Sequence, residues 1–562
     1  MMDVRKRAWI GLCAAMMLAG LCGTAEAFYI DGKNTLSFSA KLQTRVTFRL
    51  QNSDTPTWTQ PEHSVGDLAQ WRNLALLEVD HDLKQLIKSL DILYPLKKWK
   101  IRSKYHIVGR FMYEAVYNVG SDNLKAVRDE DKENIDSFKQ AYDLWEAYID
   151  FSRGPGFVRI GRQNIAWGET DIFRLLDQIN PLDNSFGGPF EDLDDRRIPL
   201  WMLRGSYNLG SVGPVASLTV EGFWVPGNWD TKVGPWTPYG TPYAVPLDKK
   251  AVYDINYNNN PPKTMSNSRW GARIQGMLGS AMNVSVAYFE TFKDTATPHV
   301  TLFEPVEGPL LDTSLVRIEE EWPMFQVLGA SMNFWESMTD TVFRAEVAYF
   351  FREPVTILGI NDLPLHAPVI PLSWTALDAL AVLTGTDLRS QGLYGIPLNP
   401  QSGLIAVKDA LNWMIGFDKQ IWIRSLNKKS MFFLSCQYFG KWYPDHDPKQ
   451  YLAVPLPDKY LPRPNEITGE PIVQLSEYPM ISEVSTIFTG MINTTYMNGN
   501  LNPQFAMAYD VDGIFLLLPQ VTYIREPFRF MLQYAGIVGQ FNNFGIFRDR
   551  DQISFTLSYM LN

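Results

Sequence analysis

Thr35 to Leu50 reads TLSFSAKLQTRVTFRL. Leu36, Phe38, Ala40, Leu42, Val46, Phe48 and Leu50 fall on one parity, and Thr35, Ser37, Ser39, Lys41, Gln43, Arg45, Thr47 and Arg49 on the other. Only Thr44 interrupts the pattern. Period-two alternation marks a strand with one apolar and one wet face. Strands of soluble sheets average about 5–6 residues, so a run this long suits a tilted strand crossing a bilayer.

The pattern recurs. Trp99, Ile101, Tyr105, Ile107, Phe111, Tyr113 and Tyr117 oppose Lys100, Arg102, Lys104, His106 and Arg110. Trp145, Ala147, Ile149 and Phe151 alternate with Leu144, Glu146, Tyr148 and Asp150. Thr341–Phe351 and Ile553–Tyr559 repeat it. Tight turns at Arg153–Gly156, Gly279–Ala281, Glu336–Met338, Lys428–Ser430 and Asn498–Asn500 alternate with long polar or Pro-rich stretches. Short periplasmic turns opposite long outer loops are the asymmetry of an outer-membrane barrel. The expected fold is therefore all-β: a transmembrane antiparallel β-barrel of about 18 strands (16–18), with long outer loops carrying short helices.

The chain opens like a secretory leader. Arg5, Lys6 and Arg7 precede an apolar run from Ala8 to Cys22, and Ala25-Glu26-Ala27 supplies a cleavage site, which assigns 1–27 to a signal peptide and 28–562 to the barrel. Cys13 and Cys22 would leave with the leader, so Cys436 has no partner for an internal disulfide. The net charge of −10 argues against nucleic acid as a partner. Aromatic residues make up 13% of the chain, which suits a membrane barrel with interfacial rings. Membrane lipid, lipopolysaccharide and the barrel-assembly machinery are the expected partners. The last residues, Tyr559-Met560-Leu561-Asn562, place the nearest aromatic three positions from the end.

One segment carries a resemblance. Gly161-Arg162-Gln163 at a strand end, then Trp167-Gly168-Glu169, Asp171 and Arg174, and the turn Asn180-Pro181-Leu182-Asp183, resemble a proteobacterial outer-membrane barrel family of unknown function. The resemblance implies a porin-like barrel, often accompanied by RND-type transporters of lipids or other hydrophobic molecules. It implies a channel or export role and supplies no catalytic residues.

The stretch 168–197 is rich in acids: Glu169, Asp171, Asp177, Asp183, Glu191, Asp192, Asp194 and Asp195. Ile172, Phe173, Leu175, Leu176 and Ile179 predict a short amphipathic helix within it. An apolar face needs a place to pack, so the expectation is a loop folded into the lumen as a constriction, its acids opposing cations on the wall. Lys100, Arg102, Lys104, His106 and Arg110 predict a basic ladder on that wall, with Glu146 and Asp150 as local neutralisers. A second inserted loop is expected over 353–408, where Trp374, Leu377, Leu380 and Leu383 lie on a mostly apolar helix suited to plug or gate the lumen. Leu86, Ile87, Leu90 and Leu93 have helical spacing in an unusually long periplasmic connection.

Enzymatic motifs are missing from the sequence. The six histidines show no HExxH spacing, and there is neither a Gly-x-Ser-x-Gly elbow nor a P-loop. No cofactor is expected; Glu169-x-Asp171 and Asp192-x-Asp194-Asp195 offer at most weak oxygen ligands for Ca²⁺. The leading expectation is an outer-membrane channel, which the resemblance extends to the outer component of an export route for lipids or other hydrophobic molecules. The alternatives are a plugged barrel that displays its loops as a binding or structural surface and, third, an outer-membrane hydrolase.

Overall fold

The computed structural model describes residues 28–29, 31, 34–53, 62–90, 94–185, 187–244, 251–254, 260–306, 313–359, 396–397, 405–446, 450–452, 463–464, 471–472, 482–540 and 543–561. The leader and the expected helix at Trp374, Leu377, Leu380 and Leu383 lie outside the described residues.

Eighteen strands form one closed antiparallel barrel. The first six are β1 (Leu36–Arg49), β2 (Leu68–Asp82), β3 (Arg102–Glu114), β4 (Gln140–Arg153), β5 (Gly156–Gln163) and β6 (Leu200–Val212). The next six are β7 (Val215–Val225), β8 (Arg269–Leu278), β9 (Met282–Thr291), β10 (Phe325–Glu336), β11 (Thr341–Gly359) and β12 (Ile405–Ile421). The last are β13 (Phe432–Trp442), β14 (Val484–Asn493), β15 (Leu501–Asp510), β16 (Ile514–Arg525), β17 (Phe528–Gly539) and β18 (Gln552–Leu561). Each strand pairs with its sequence neighbour, and β18 returns to β1 with Arg49 opposite Gln552 and Ala40 opposite Leu561. The quoted stretch is thus the closing strand of the barrel.

At one end the connections are short, as at 154–155, 213–214, 279–281 and 526–527; at the other they are long, except for 511–513. Among the described residues the long connections carry four α-helices, Val116–Val119, Asp122–Glu130, Lys132–Lys139 and Leu193–Arg196. They also carry a separate four-stranded sheet that includes Thr297–Val306 and Thr313–Glu321. The long connection at the turn end holds helices Lys84–Ser89 and Tyr94–Lys98, as the spacing predicts.

The alternation sorts side chains by medium. Ile160, Ile274, Val286, Leu328, Val347 and Ile415 stand exposed on the outer face at mid-strand. Rings gather at both rims: Trp71, Tyr142, Trp224, Trp270, Trp442 and Tyr509 near the loop end, and Tyr207, Trp335, Trp422, Tyr523 and Phe530 near the turn end. An apolar band between two aromatic girdles matches a bilayer's hydrocarbon core and its two interfaces. Polar partners point inward, including Arg45, Thr47, Arg49, Gln70, Arg72, Ser554 and Thr556.

Two readings of parity need correction. The register between β3 and β4 shifts at Val108/Gly109, leaving an extra residue in β4. Such a bulge re-aims the side chains beyond it, so Trp145 is buried inside the barrel rather than facing out beside Ala147 and Ile149. Lys100 does not extend the ladder on β3: it sits in a turn before the strand, at a φ of 55°.

Val286, 56% exposed at the middle of β9, tests the membrane-facing assignment. Val286→Arg is expected to lower the unfolding free energy in lipid vesicles by about 2–4 kcal/mol. Ser280→Arg in the neighbouring turn should leave it nearly unchanged, both read by denaturant titration of tryptophan fluorescence.

Candidate functional site

The connection 164–199 leaves β5 and folds into the lumen. Gly161 sets its departure: with φ at 137°, a side chain there would meet the carbonyl of Ala147 and the backbone of Tyr148. Asn180, fully buried, ties the two ends of the loop together. Its side-chain oxygen accepts from the Ile165 N–H at 2.8 Å, and its amide donates to the carbonyls of Gln163 at 3.2 Å and Ile198 at 2.8 Å. The Pro181 carbonyl accepts from the Ile198 N–H, and Asp183 caps Ser185.

The expected helix over 172–179 is absent. The segment bends irregularly instead, with Leu175, Leu176 and Ile179 buried and Ile172 and Phe173 half-buried. Leu175, Leu176 and Ile179 pack with Ile165 and Trp167 against lumen-facing Phe223, Phe289, Val327 and Phe350. Trp167 meets the rings of Phe223 and Phe289 edge-on at 5.3 and 6.0 Å. Side-chain hydrogen bonds from the wall substitute for helical ones. Glu346 of β11 accepts from the backbone N–H groups of Glu169 and Leu176. Arg344 donates to the Glu169 carbonyl at 2.7 Å and grips Asp171 with two bonds of 2.9 and 2.8 Å. Part of the lumen is therefore an apolar core rather than uniformly polar.

The far end of the loop reaches the opposite wall. Glu191 lies 2.8 Å from Arg45 of β1 and 2.7 Å from Arg72 of β2, with its side chain only 4% exposed. Burial by itself would raise the Glu191 carboxyl, but the two guanidinium groups and their bonds outweigh it and hold the pKa down to about 2. Asp177 pairs with Arg197, and burial pushes its pKa up to about 6 against the pull of Arg197 and Arg174. Arg174 pairs with Asp294. Asp195 lies 3.9 Å from Lys41, while Asp194 stays 90% exposed. Burial raises the pKa of Asp192. The acids offered as Ca²⁺ ligands are thus dispersed, with Asp171 and Asp195 facing cations.

A second stretch, 229–244, also enters the lumen. The Pro242 carbonyl accepts from Arg49 at 2.5 Å and Arg550 at 3.0 Å, both guanidinium groups being buried. Tyr243 donates to Gln552 at 3.2 Å and packs near Phe190 of the first loop. The two inserts together cross the lumen without filling it. A cavity of about 350 Å³ runs along the β1–β4 wall from Ser39 and Met560 near the turn end to Arg72 and Glu191. A second, about 160 Å³, continues toward the loop end through Ser137, Phe138 and Lys232. Arg110, Trp145 and Asp183 line both.

At this neck the bulge in β4 brings Asp143 within 3.1 Å of Arg110, whose guanidinium lies 3.4 Å from the Trp145 ring centroid. Lower on the wall, His106 meets Asp80 at 3.1 Å and Glu78 and Glu146 at 3.7 Å. Glu78, Asp80 and His106 offer ligand atoms within 4.8 Å of one another, so a cation would find its best-matched donors there. Arg102 and Lys104 point into open solvent near the turn end, and Asp150 pairs with Arg159 at 2.6 Å. The expected ladder is thus a short basic pair, His106 and Arg110, set among acids.

A family model described as "Protein of unknown function (DUF1302)" matches residues 8–561. The chain belongs to that family. It is similar to the solved structure of OccK3 (OpdO) of Pseudomonas aeruginosa, at 9% identity over 94% of this chain and 95% of that one, with a TM-score of 0.44. It is also similar to OpdK of the same organism with vanillate, at 9% identity, 94% and 98% coverage and a TM-score of 0.43. OccAB4 of Acinetobacter baumannii matches at 10% identity, with 94% and 98% coverage and a TM-score of 0.41. No curated protein matches at a significant level.

In this DUF1302 chain, the motif residues Gly161, Gln163, Trp167, Gly168, Asn180, Pro181 and Asp183 form the frame of the inserted loop. Arg162 donates to the carbonyls of Pro199 and Leu144, holding the loop's exit beside its entry. Arg45, Arg49, Arg72, Glu346 and Arg550 are the residues that sequence reading missed. The signal was present for two of them: Arg45 and Arg49 interrupt an inward parity otherwise made mostly of Ser, Thr and Gln.

Glu191→Gln would leave two buried guanidinium groups without their shared charge, a change of about 3–5 kcal/mol for a buried pair. The loop is expected to leave its seat, seen as limited proteolysis within 187–199 while the strands stay protected. Acid should act in the same direction. The Glu191 pKa lies below its ordinary 4.5, so the pair's contribution is complete above pH 4.5 and lost as pH falls through about 2. Cleavage of the wild-type loop by an acid protease should begin only in that window.

Proposed function

We propose that the protein is an outer-membrane channel whose solute path is the space left along the β1–β4 wall beside the two inserted loops. The observation that carries this reading is the pair of cavities on either side of Arg110, Trp145 and Asp183, which together extend from the turn end toward the loop end. The turn end would face the periplasm and the long loops the lipopolysaccharide side. Acids and bases both line the path, as in a hydrated pore whose selectivity is set by local charge.

The finer reading is export of hydrophobic molecules in partnership with a periplasmic or RND-type transporter. Support for a partner comes from the turn-end connection, where Leu86, Leu90, Tyr94 and Trp99 are exposed on and beside two short helices. The resemblance in the 161–185 segment points the same way. Insertion would depend on the barrel-assembly machinery acting on the closing strand β18.

Single-channel recording of refolded protein in planar bilayers tests the channel. Steady ion current is expected, and Ser39→Trp at the turn-end mouth should cut it by roughly half or more by narrowing the path. Asp194→Asn with Asp195→Asn should shift the reversal potential in a salt gradient toward weaker cation preference. Silence from correctly folded, inserted barrels would sink the channel reading in favour of a plugged barrel that displays its loops.

A further inference from the structure

We propose that the seam between β16 and β17 at Pro519 is a lateral portal, through which apolar molecules pass between the lumen and the membrane. The inference deepens the channel reading above and rests on it. Three observations converge on this seam: a gap in the hydrogen-bond ladder, an apolar groove outside it and an apolar lining inside it.

The ladder between the two strands pairs Leu517 with Gly536 and resumes at Gln520 with Gln533. The intervening steps, at Leu518 and Pro519, carry no pairing. Every other interruption between the barrel's strands is a register shift. Here the register is the same on both sides, so the strands stay aligned while one bond is missing, the one residue 519 would donate to the Tyr534 carbonyl. Proline has no N–H to give, and within a sheet it is normally confined to edges and bulges. In hydrocarbon no water replaces a missing ladder bond, which lowers the cost of parting the wall here.

Outside the gap lies a groove of about 530 Å³ whose lining includes Phe505, Pro519, Val521, Leu532, Tyr534 and Ile553. The alternation places these side chains on the membrane face. Inside, Leu516, Ala535 and Ile537 are buried, and Leu518 packs against the cluster they form with Phe190 and Tyr243 of the inserted loops. An apolar surface therefore continues from the inserts, across the gap, to the lipid side. A charged or strongly polar solute would lose its hydration there without compensation, so the chemistry selects an apolar body such as an acyl chain or an aromatic hydrocarbon. The first bonded step beyond the gap is coupled to the plug: Arg45 donates to Gln533 at 2.9 Å and also holds Glu191.

Register places Leu518 and Ala535 opposite each other, at a separation within reach of a disulfide. The test uses Leu518→Cys with Ala535→Cys in a Cys436→Ala background, expressed in Gram-negative cells. Entry of N-phenyl-1-naphthylamine into intact cells is followed by fluorescence. Cells carrying the wild type or the reduced variant should take up the probe faster than cells carrying an empty vector. Oxidation should bring the variant down to the vector rate, and reductant should restore it. Uptake unchanged after complete cross-linking, or wild-type uptake no faster than vector, overturns the portal.

Hydrogen exchange on the refolded wild type gives an independent reading that needs no variant. The amides that bond across the seam, those of Val521, Tyr534 and Gly536, should exchange faster than those of Leu518 and Ala535, which face β15 and β18, and equal protection counts against the seam. Conductance of the same proteins separates the two claims. Ion current with cross-link-insensitive uptake removes the portal alone, whereas no current in any form removes the channel on which it rests.

Discussion

The rest of the structure depends on one constraint: a chain in hydrocarbon must satisfy every backbone N–H and carbonyl from within. Closure does this for a sheet by abolishing its edges, and the β1–β18 ladder is where closure is made. The long alternation of Leu36–Arg49 follows from the same requirement, since a closing strand must present hydrocarbon on one parity and water or packed lumen on the other over the whole bilayer. The constraint also explains why Pro519 matters more here than it would in a soluble sheet. A missing ladder bond in water is replaced by solvent, whereas here it stays missing.

A barrel of this strand number encloses more space than its own inward side chains can fill, and the chain solves this with connections from one end. The first insert crosses the lumen from β11 to β1 and β2. It is fastened differently on the two sides. Against β7 to β11 it is held by close packing of Trp167, Leu176 and Ile179, reinforced by Glu346 and Arg344. Against β1 and β2 it is held by Glu191 between two guanidinium groups. The second insert is fastened by Arg49 and Arg550 to backbone carbonyls, an arrangement that satisfies buried guanidinium groups largely without a carboxylate.

The fold was legible because alternation, turn chemistry and loop asymmetry are local, repeated signals. The inserted loop was legible in outline, since a cluster of apolar residues in an outer loop must be buried somewhere. Its conformation was not. Helical spacing at Ile172, Phe173, Leu175, Leu176 and Ile179 describes a set of residues needing one apolar contact, and the wall supplies that contact to an irregular backbone because Glu346 takes up the exposed N–H groups. Trp145 was misread for a similar reason. A bulge adds one residue and exchanges the faces beyond it, and nothing in Leu144-Trp145-Glu146 announces it. The lumen cations were visible as a ladder but not as partners, because pairing depends on strands distant in sequence: Arg45 meets Glu191, and Arg344 meets Asp171. The second insert left no trace, since the groups that Arg49 and Arg550 hold in it are backbone carbonyls.

The asymmetry of fastening bears on where a solute can go. Apolar packing is lost only when water or another apolar body replaces it, and the cluster around Trp167 is too closely filled to admit either without moving several strands' side chains. An ion pair differs: each partner has water as a ready alternative, and much of the pair's gain is spent on desolvation. The side of the lumen held by charge is therefore the side that can yield, and two cavities lie on it, along β1 to β4, while a third of about 360 Å³ opens beneath the packed side between Glu169, Arg273 and Ser331. Arg45 stands at the meeting point of both routes, touching the plug through Glu191 and the wall beside the Pro519 gap through Gln533. Release of the loop would remove one of Arg45's acceptors and shift its demand onto Gln533, which also donates to Gln520 across the seam. The cavity-lined wall and the Pro519 seam are in this way joined through a single buried guanidinium group, Arg45, on the side of the barrel held by charge.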